Sequence, residues 1–243
     1  MRDFVDAPYI IHKRDPHWVP PLRRDTRATL NRTKNPFFSH GESEYYVARD
    51  ISLPVGRIAA IIDHDYNKRH GTKIGWFGFF ESVDDDDVAR GLLRAACGWL
   101  RDKGMTEVYG PASPAMGEDG GFPLDGDGSM SHYHRMMEAN GFVKAKDLCT
   151  WRLNASAGLP EGLTKLGVAV SIVNPEMGRA LKKMRGRILP FGWLWQLYYS
   201  SKSAGAELSW TLEDDKATNE SMAAMGAKLY RKCRVYKKGL LSG

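Results

Sequence analysis

Two histidines and an Asp-His pair are the residues of this chain that come closest to a metal site. His132 and His134 would share one face of an extended segment, and Asp63-His64 offers a further ligand. The set has no cysteine partner and no characteristic zinc spacing. A solvated histidine pair is the better interpretation, so the sequence predicts no metal.

The glycine-rich stretch from Gly117 to Gly128 also carries carboxylates, and calcium binding is the chemistry they suggest. A calcium loop needs Gly at its sixth position and Glu at its twelfth. Counted from Asp125, those positions are Met130 and Met136. We therefore predict a flexible lid or an irregular surface segment here.

Basic and then aromatic residues follow one another near the C-terminus. The basic residues are Arg179, Lys182, Lys183, Arg185 and Arg187, and the aromatic ones are Phe191, Trp193, Trp195, Tyr198 and Tyr199. This order is compatible with an anionic membrane surface, or with nucleic-acid phosphates and stacked bases. No recognised nucleic-acid motif accompanies it, and packing of the aromatic side chains in a core is the stronger interpretation.

Composition and charge indicate an ordinary globular protein. Of the 243 residues, 42% are apolar and 26% are charged. Residues 175–243 hold 13 Lys and Arg against 6 Asp and Glu, so the net charge of +6 comes from this end. A basic region of this kind can attract an acidic partner, although a solvated surface is the simpler interpretation.

The sequence shows none of the usual signs of export or membrane insertion. Charged residues interrupt Met1 to Arg14, which is unlike a secretory signal. The longest apolar stretch, Leu189 to Tyr199, has 11 residues, whereas a membrane span needs about 20. Three cysteines without a CxxC pair fit a reducing compartment. We expect a cytoplasmic protein that does not span a membrane.

Periodicity predicts the elements that must position these residues. Residues 1–44 are rich in Pro and charge and are predicted to be mostly irregular, with a short helix at most over Leu22 to Arg32. Ser82 is the candidate N-cap of the first long helix, which ends at Gly104. The predicted strands and helices run in the order Tyr45–Arg49, Val55–Asp63, Lys73–Glu81, the helix from Ser82, Glu107–Tyr109, the helix His132–Ala139, and Lys146–Leu153.

Residues 154–174 are predicted to be a connector before a second unit, residues 175–243. In that unit we predict a helix from Pro175 to about Arg185, followed by the aromatic segment. A strand Ala206–Leu212, a helix Ala217–Met225 and a strand Lys228–Lys237 complete it.

This order of elements resembles the GNAT superfamily of acyl-coenzyme A-dependent N-acyltransferases. Several stretches look like uncharacterised bacterial proteins with two GNAT-like halves: Leu30–Glu42, Val55–Ala60, Glu207–Trp210, Leu212–Asp215 and Gly226–Tyr230. The resemblance implies an α/β (α+β) fold with a mixed, mainly antiparallel central sheet flanked by helices. It assigns residues 1–153 to a GNAT-like domain and residues 175–243 to a second, incomplete half that is internally shortened.

The resemblance also implies a site at the end of the third strand. Glu81 lies where several GNAT enzymes keep a general base. Tyr133, at the start of its helix, is similar in place to residues that protonate the leaving thiolate, although the more common tyrosine position is Met137 here. Phe79, Phe80, Ser82 and Val83 are the residues that would contact the cofactor, acetyl-CoA or another acyl-CoA.

One departure from the family concerns the loop that holds the coenzyme A pyrophosphate, typically (Gln/Arg)-x-x-Gly-x-(Gly/Ala). At that position the chain has Ser82-Val83 and then four aspartates, Asp84–Asp87. Carboxylates favour a helix N-terminus by about 0.3–1 kcal/mol each, but they would repel a pyrophosphate.

Two functions therefore stay open at the level of the sequence. One is an acyl-CoA-dependent N-acyltransferase that acts on a small-molecule or peptide amine. The other is a non-catalytic GNAT-like binding protein that uses its basic C-terminal unit. A homodimer is compatible with either function, and nucleic acid is not an expected partner.

Overall fold

The structure is a computed structural model that describes residues 1–16, 18–112, 122–123, 131–153, 206–224 and 226–240. Contacts divide the chain into two units, Met1–Asp147 with Cys233–Gly243, and Leu148–Lys232. The helices are α1 (Arg2–Ile11), α2 (Arg23–Thr29), α3 (His64–His70), α4 (Asp86–Asp102), α5 (Ser131–Ala139) and α6 (Lys216–Ala224). The strands are β1 (Gly41–Asp50), β2 (Leu53–Asp63), β3 (Ile74–Ser82), β4 (Glu107–Gly110), β5 (Phe122–Pro123), β6 (Val143–Leu153), β7 (Ala206–Leu212) and β8 (Lys228–Gly239).

A mixed sheet forms the centre of the first unit, in the order β1-β2-β3-β4-β8-β6. β1 and β2, β2 and β3, and β4 and β8 are antiparallel neighbours. β3 and β4 pair in parallel over Ile74–Trp76 and Glu107–Tyr109. The predicted antiparallel meander and the mixed, mainly antiparallel sheet are confirmed.

Apolar residues cover both faces of this sheet. On the face that carries α4 and α5, the core includes Ile58, Phe77, Leu92 and Tyr133. On the opposite face, α1 and the segment after α2 supply Phe4, Val5, Leu30 and Phe37, which pack with Ala59 and Ile61. Because β2 is buried on both faces, its central residues form a continuous apolar run rather than an alternating one.

The N-cap of helix α4 is Asp85, three residues after Ser82, so the prediction of Ser82 as the cap was wrong. The Asp85 carboxylate accepts hydrogen bonds from the Asp87 and Val88 amides at 2.8 and 3.2 Å. Ser82 instead ends β3, where it pairs with Gly56. Asp is a strong N-cap because its carboxylate satisfies amides that have no partner within the helix.

The N-terminal segment is more ordered than its composition predicts. Residues 2–11 form α1 despite Pro8, and residues 36–39 form a 3-10 turn. Helix α1 holds Phe4, Val5 and Ala7 against the sheet, and each of these side chains is at most 1% exposed. Burial of apolar surface outweighs the low helix propensity here, so α1 corrects the prediction of a mostly irregular lead-in, whereas the short helix predicted within Leu22–Arg32 is present as α2.

The second unit of the structure, Leu148–Lys232, contains the predicted strand Ala206–Leu212, which pairs with the end of β6 in antiparallel register. The Thr211 hydroxyl receives a hydrogen bond from Trp151 Nε1 at 3.1 Å and donates to Asn219 Oδ1 at 2.5 Å. Helix α6 buries Met222 completely.

Several predicted features lie outside the described residues. They are most of the glycine-rich stretch, the connector at 154–174, the basic helix after Pro175, the aromatic segment, and the shortening assigned to the second half. Within the described ranges, no helix is both long and apolar enough to cross a bilayer.

Candidate active site

The site is built around an irregularity in β3. Arg57 of β2 pairs with Glu81, but the next pair along is Ala59 with Gly78. One residue of β2, Ile58, therefore faces two residues of β3, Phe79 and Phe80. This is a β-bulge, and the positive φ of 51° at Phe79 marks its position.

The bulge decides which face of the sheet Glu81 occupies. In a regular strand, Phe77 and Glu81 would point to the same face, because side chains alternate with a period of two. Phe77 belongs to the core beneath α4 and α5. The extra residue turns Glu81 to the other face, beside its register partner Arg57 and the α1 helix.

Glu81 is held by two hydrogen bonds to one carboxylate oxygen. His12 Nε2 lies 2.6 Å from Glu81 Oε2, and the Tyr133 hydroxyl donates to the same oxygen at 3.0 Å. His12 follows the last turn of α1, whereas Tyr133 belongs to α5. The Glu81 side chain remains 16% exposed, so solvent or a substrate can reach it.

Arg57 supplies a positive charge on the other side of the carboxylate. Its Nη2 is 3.8 Å from Glu81 Oε1, which is longer than a hydrogen bond. Arg57 Nη1 donates to the carbonyl of Phe4 at 2.9 Å. The rings of Phe4 and Phe79 lie 5.2 and 5.5 Å from the guanidinium carbon, within reach of a cation-π contact.

Tyr133 acts here as a hydrogen-bond donor and not as an exposed acid. Its side chain is completely buried. Desolvation raises the pKa of Tyr133 well above its usual range, and the negative charge of Glu81 adds to this effect. The hydroxyl therefore stays protonated at neutral pH, with its proton directed at Glu81. This geometry favours a positioning role for Tyr133 over protonation of a thiolate.

The N-terminus of α4 is already occupied by side chains of the chain itself. Asp85 uses its carboxylate to cap the first amides, as described above. Arg135 of α5 forms ion pairs with Asp84 and with Asp86, the latter at 3.2 Å. A diphosphate at this helix end would meet carboxylates and capped amides, so these residues do not fit it.

The four residues predicted to contact the cofactor lie next to Glu81, but their environments differ. Phe80 packs in the core, 5.7 Å from the Tyr133 ring. Ser82 is fully buried, and the Val83 amide donates to Val55 at 2.9 Å. Phe79 lies on the α1 face and borders Arg57. The register of β2 and β3 skips Phe79 and Phe80, which form the bulge.

The histidines considered as metal ligands are engaged separately. His132 Nε2 lies 3.4 Å from the Ser82 carbonyl, and His134 Nδ1 lies 2.8 Å from the Tyr236 hydroxyl. His64 Nε2 is 3.2 Å from Glu42 Oε1. Among the described residues, His, Cys, Asp and Glu side chains form no group suited to a metal ion.

Comparison with known proteins identifies the fold of the chain. No protein-family model matches the chain. A solved tandem GNAT protein from the clavulanic acid biosynthesis pathway, determined without AcCoA, superposes with a TM-score of 0.62 at 12% identity. The match covers 100% of this chain and 95% of that protein. The chain has the GNAT fold.

Two curated bacterial proteins are similar to part of this GNAT-fold chain. Protein YghO of Escherichia coli K12 is 31% identical over 160 residues, which are 62% of this chain and 41% of that protein. Bacterial ceramide synthase of Caulobacter vibrioides is 31% identical over 171 residues, 66% of this chain and 44% of that protein. The chain therefore spans less than half the length of either relative.

Sequence reasoning missed two side chains of this GNAT-fold site, His12 and Arg57. His12 lies in the segment that was predicted to be irregular, where nothing marked it. Arg57 had a visible signal, because it is the only charged residue within the run Val55–Ile62. A lone cation in a buried strand indicates a buried anionic partner, and Glu81 is the acidic residue of the adjacent predicted strand.

Proposed function

We propose that the chain is an acyl-CoA-dependent N-acyltransferase in which Glu81 is the general base. The observation that carries the proposal is the placement of Glu81. It lies next to the β3 bulge of a GNAT fold, partly exposed and fixed by His12 and Tyr133. Oε2 accepts both hydrogen bonds. Oε1 can therefore take the proton from the amine that is to be acylated.

The reaction that follows needs no other reagent. A primary amine attacks the thioester carbonyl carbon, and a C–N bond forms while the amine nitrogen gives a proton to Glu81. The tetrahedral intermediate then collapses, the C–S bond breaks, and the sulfur leaves with the electron pair. A proton returns to the sulfur through Glu81 or water, which gives an amide and free coenzyme A. A positioned base of this kind contributes about 10²- to 10⁴-fold to the rate.

A long-chain amino alcohol is the acceptor class we favour among amines. A ceramide is the amide of a fatty acid with a long-chain amino alcohol, and one of the similar proteins is named a bacterial ceramide synthase. The synthesis of a ceramide from these two parts is an N-acylation, and N-acylation is the reaction that Glu81 would assist as a general base.

Turnover is tested with sphinganine as acceptor and either palmitoyl-CoA or acetyl-CoA as donor. Spermidine serves as a water-soluble comparison, and the amide product is measured by mass spectrometry. Glu81→Gln keeps the size of the side chain but cannot accept the proton, so we expect kcat to fall by about 10²-fold or more. Glu42→Gln is the matched control, since Glu42 pairs with Lys103 at 2.6 Å, away from Glu81. Equal activity of Glu81→Gln and the unaltered chain would exclude the proposed base.

A non-catalytic binding protein is the second candidate, and the closed N-terminus of α4 favours it. Asp84 and Asp86, paired with Arg135, leave no anion site at this helix end, where GNAT enzymes bind the pyrophosphate. Calorimetric titration with acetyl-CoA separates the two functions. A dissociation constant near 10 μM corresponds to about 7 kcal/mol and supports the transferase. An absence of heat at millimolar ligand supports the binding protein, whose acidic partner would be released by salt.

A further inference from the structure

We infer that His12 is a positioning residue for the base: its Nε2–H fixes the Glu81 carboxylate so that Oε1 faces the acceptor amine. This inference rests on the proposed function and assigns a role to a residue that precedes the sheet in sequence. The contact that carries it is the 2.6 Å approach of Nε2 to Glu81 Oε2, across 69 residues of sequence.

Helix α1 fixes His12 from its own side. The His12 amide donates to the Pro8 carbonyl at 2.9 Å, and the Asp15 amide donates to the His12 carbonyl at 3.0 Å. The Trp18 ring lies 5.3 Å from the imidazole. With only 8% of its surface exposed, His12 has little freedom to choose another partner.

The helix itself is attached to the sheet at several points. Asp3 accepts from Arg49 Nη2 at 2.5 Å, and the carbonyl of Phe4 accepts from Arg57. Phe4 and Val5 are buried against the sheet. These contacts make α1 a rigid support, and a group on a rigid support can hold a carboxylate in one orientation.

The groups around the imidazole explain why Oε1 is the oxygen left for chemistry. Among the described residues, Glu81 contacts the imidazole directly, and Tyr133 and Arg57 are the titratable groups that contact Glu81 in turn. His12 and Tyr133 both engage Oε2, whereas Arg57 faces Oε1 from 3.8 Å. Two donors on one oxygen fix both the position and the rotation of the carboxylate, which a single donor would leave free to rotate.

A second possibility is that the His12–Glu81 contact merely attaches α1 to the sheet. The two roles differ in what a substitution should change. Loss of attachment lowers stability and affects activity whatever residue stands at position 81. Loss of positioning lowers kcat, leaves KM for the acyl donor nearly unchanged, and has no further effect once Glu81 cannot act as a base.

The experiment measures kcat and KM for palmitoyl-CoA with sphinganine in His12→Leu, His12→Gln, Glu81→Gln and the His12→Leu/Glu81→Gln double variant. Misplacement of the base should lower kcat of His12→Leu by about 10- to 100-fold, since shifts near 1 Å cost this much. His12→Gln keeps an N–H donor of similar reach and should recover most of the loss. In the Glu81→Gln background, His12→Leu should change kcat by less than about 2-fold.

His40→Leu is the matched control, because His40 also pairs with a carboxylate, Asp63 Oδ1, at 3.2 Å. It should leave kcat unchanged. Thermal unfolding of each variant shows whether the fold is retained.

Four results would overturn the inference. They are a His12→Leu variant with kcat within 2-fold of the unaltered chain, a folded His12→Gln as poor as His12→Leu, an equal loss in the Glu81→Gln background, and a shared loss in His40→Leu. If the unaltered chain makes no amide from any donor and acceptor, the proposed function fails and the role of His12 fails with it. Activity that persists without His12 overturns the role of His12 alone.

Discussion

Replacement of Tyr133 by phenylalanine should lower the stability of the first unit by an amount set by one hydrogen bond. The ring is completely buried and packs against Phe122 at 4.9 Å and Phe80 at 5.7 Å, so phenylalanine keeps the packing. What is lost is the hydroxyl that donates to Glu81 Oε2 at 3.0 Å. The contacts with the Ser82 main chain, at 3.4 Å, are too long to add much.

The size of the effect follows from the state of Glu81 after the substitution. A hydrogen bond to a charged acceptor contributes about 1.5–3 kcal/mol. Because Glu81 keeps the His12 contact and is 16% exposed, water replaces part of the loss. We therefore expect the free energy of unfolding to fall by about 1.5–2 kcal/mol. At about 2–4 °C per kcal/mol for a chain of this length, the melting temperature should fall by about 3–8 °C.

Urea unfolding followed by circular dichroism at pH 7.5 measures this change. Tyr46→Phe is the control, because burial also raises the pKa of Tyr46, but its hydroxyl makes no hydrogen bond within the described residues. Tyr46→Phe should cost less than about 0.5 kcal/mol. If the two variants lose equal stability, the hydrogen bond from Tyr133 to Glu81 does not contribute as argued.

The same variant predicts a change at alkaline pH. The folded-state pKa of Tyr133 is raised above the unfolded value, so its contribution is complete below about pH 10 and is lost as the pH rises further. The loss amounts to about 1.4 kcal/mol per pH unit while only the unfolded chain ionises. Phenylalanine cannot ionise, so the stabilities of the parent and Tyr133→Phe should converge above that pH. A constant difference up to pH 11 would contradict the assignment.

Three further predictions concern the rest of the first unit. Desolvation acts to raise the pKa of Asp147, but hydrogen bonds from Arg234, at 2.9 and 3.1 Å, and from Lys144 bring the pKa below its usual value. The lowered pKa means that the ionised carboxylate stabilises the fold above about pH 4, and this contribution is lost as the pH falls further. Asp147→Asn should lower the free energy of unfolding by about 2–4 kcal/mol at pH 7 and lose much of that effect near pH 2, as measured by urea unfolding. Gly110→Ala should destabilise by more than about 2 kcal/mol or abolish expression, because a Cβ there would lie 2.4 Å from the Phe77 carbonyl oxygen. Burial raises the pKa of Cys97 to about 11, so labelling of this thiol by maleimide at pH 7.5 should require urea, as mass spectrometry of tryptic peptides can show.

Local pattern was sufficient to predict much of the fold. The strand Val55–Asp63 has a continuous apolar run because it is buried on both faces, and the helix over 86–102 repeats its apolar residues at helical spacing because one face is buried. The strand Ala206–Leu212 was predicted with the bounds that the structure shows. Helix α1 was not predicted, because its stability comes from Phe4 and Val5 packing on a sheet that lies far along the chain.

Glu81 and Tyr133 were both named from the sequence, and the structure brings them within 3.0 Å of each other. Their arrangement was not predicted. The sequence placed Tyr133 as a donor to a thiolate, but a buried hydroxyl with a carboxylate in reach directs its proton to that carboxylate. The contact with His12 depends on the path of the chain before the sheet, which periodicity does not define.

The bulge at Phe79 explains how the fold and the site depend on each other. Regular alternation would bury the Glu81 carboxylate beside Phe77, and an ionised group without an opposite charge in such a core costs several kcal/mol. One extra residue in β3 turns the carboxylate towards Arg57, its partner on β2. The positive φ of Phe79 costs about 1–3 kcal/mol, which is less than the cost of the misplaced charge. The charge pair therefore selects the irregular strand over the regular one, and the irregular strand places the base within reach of α1.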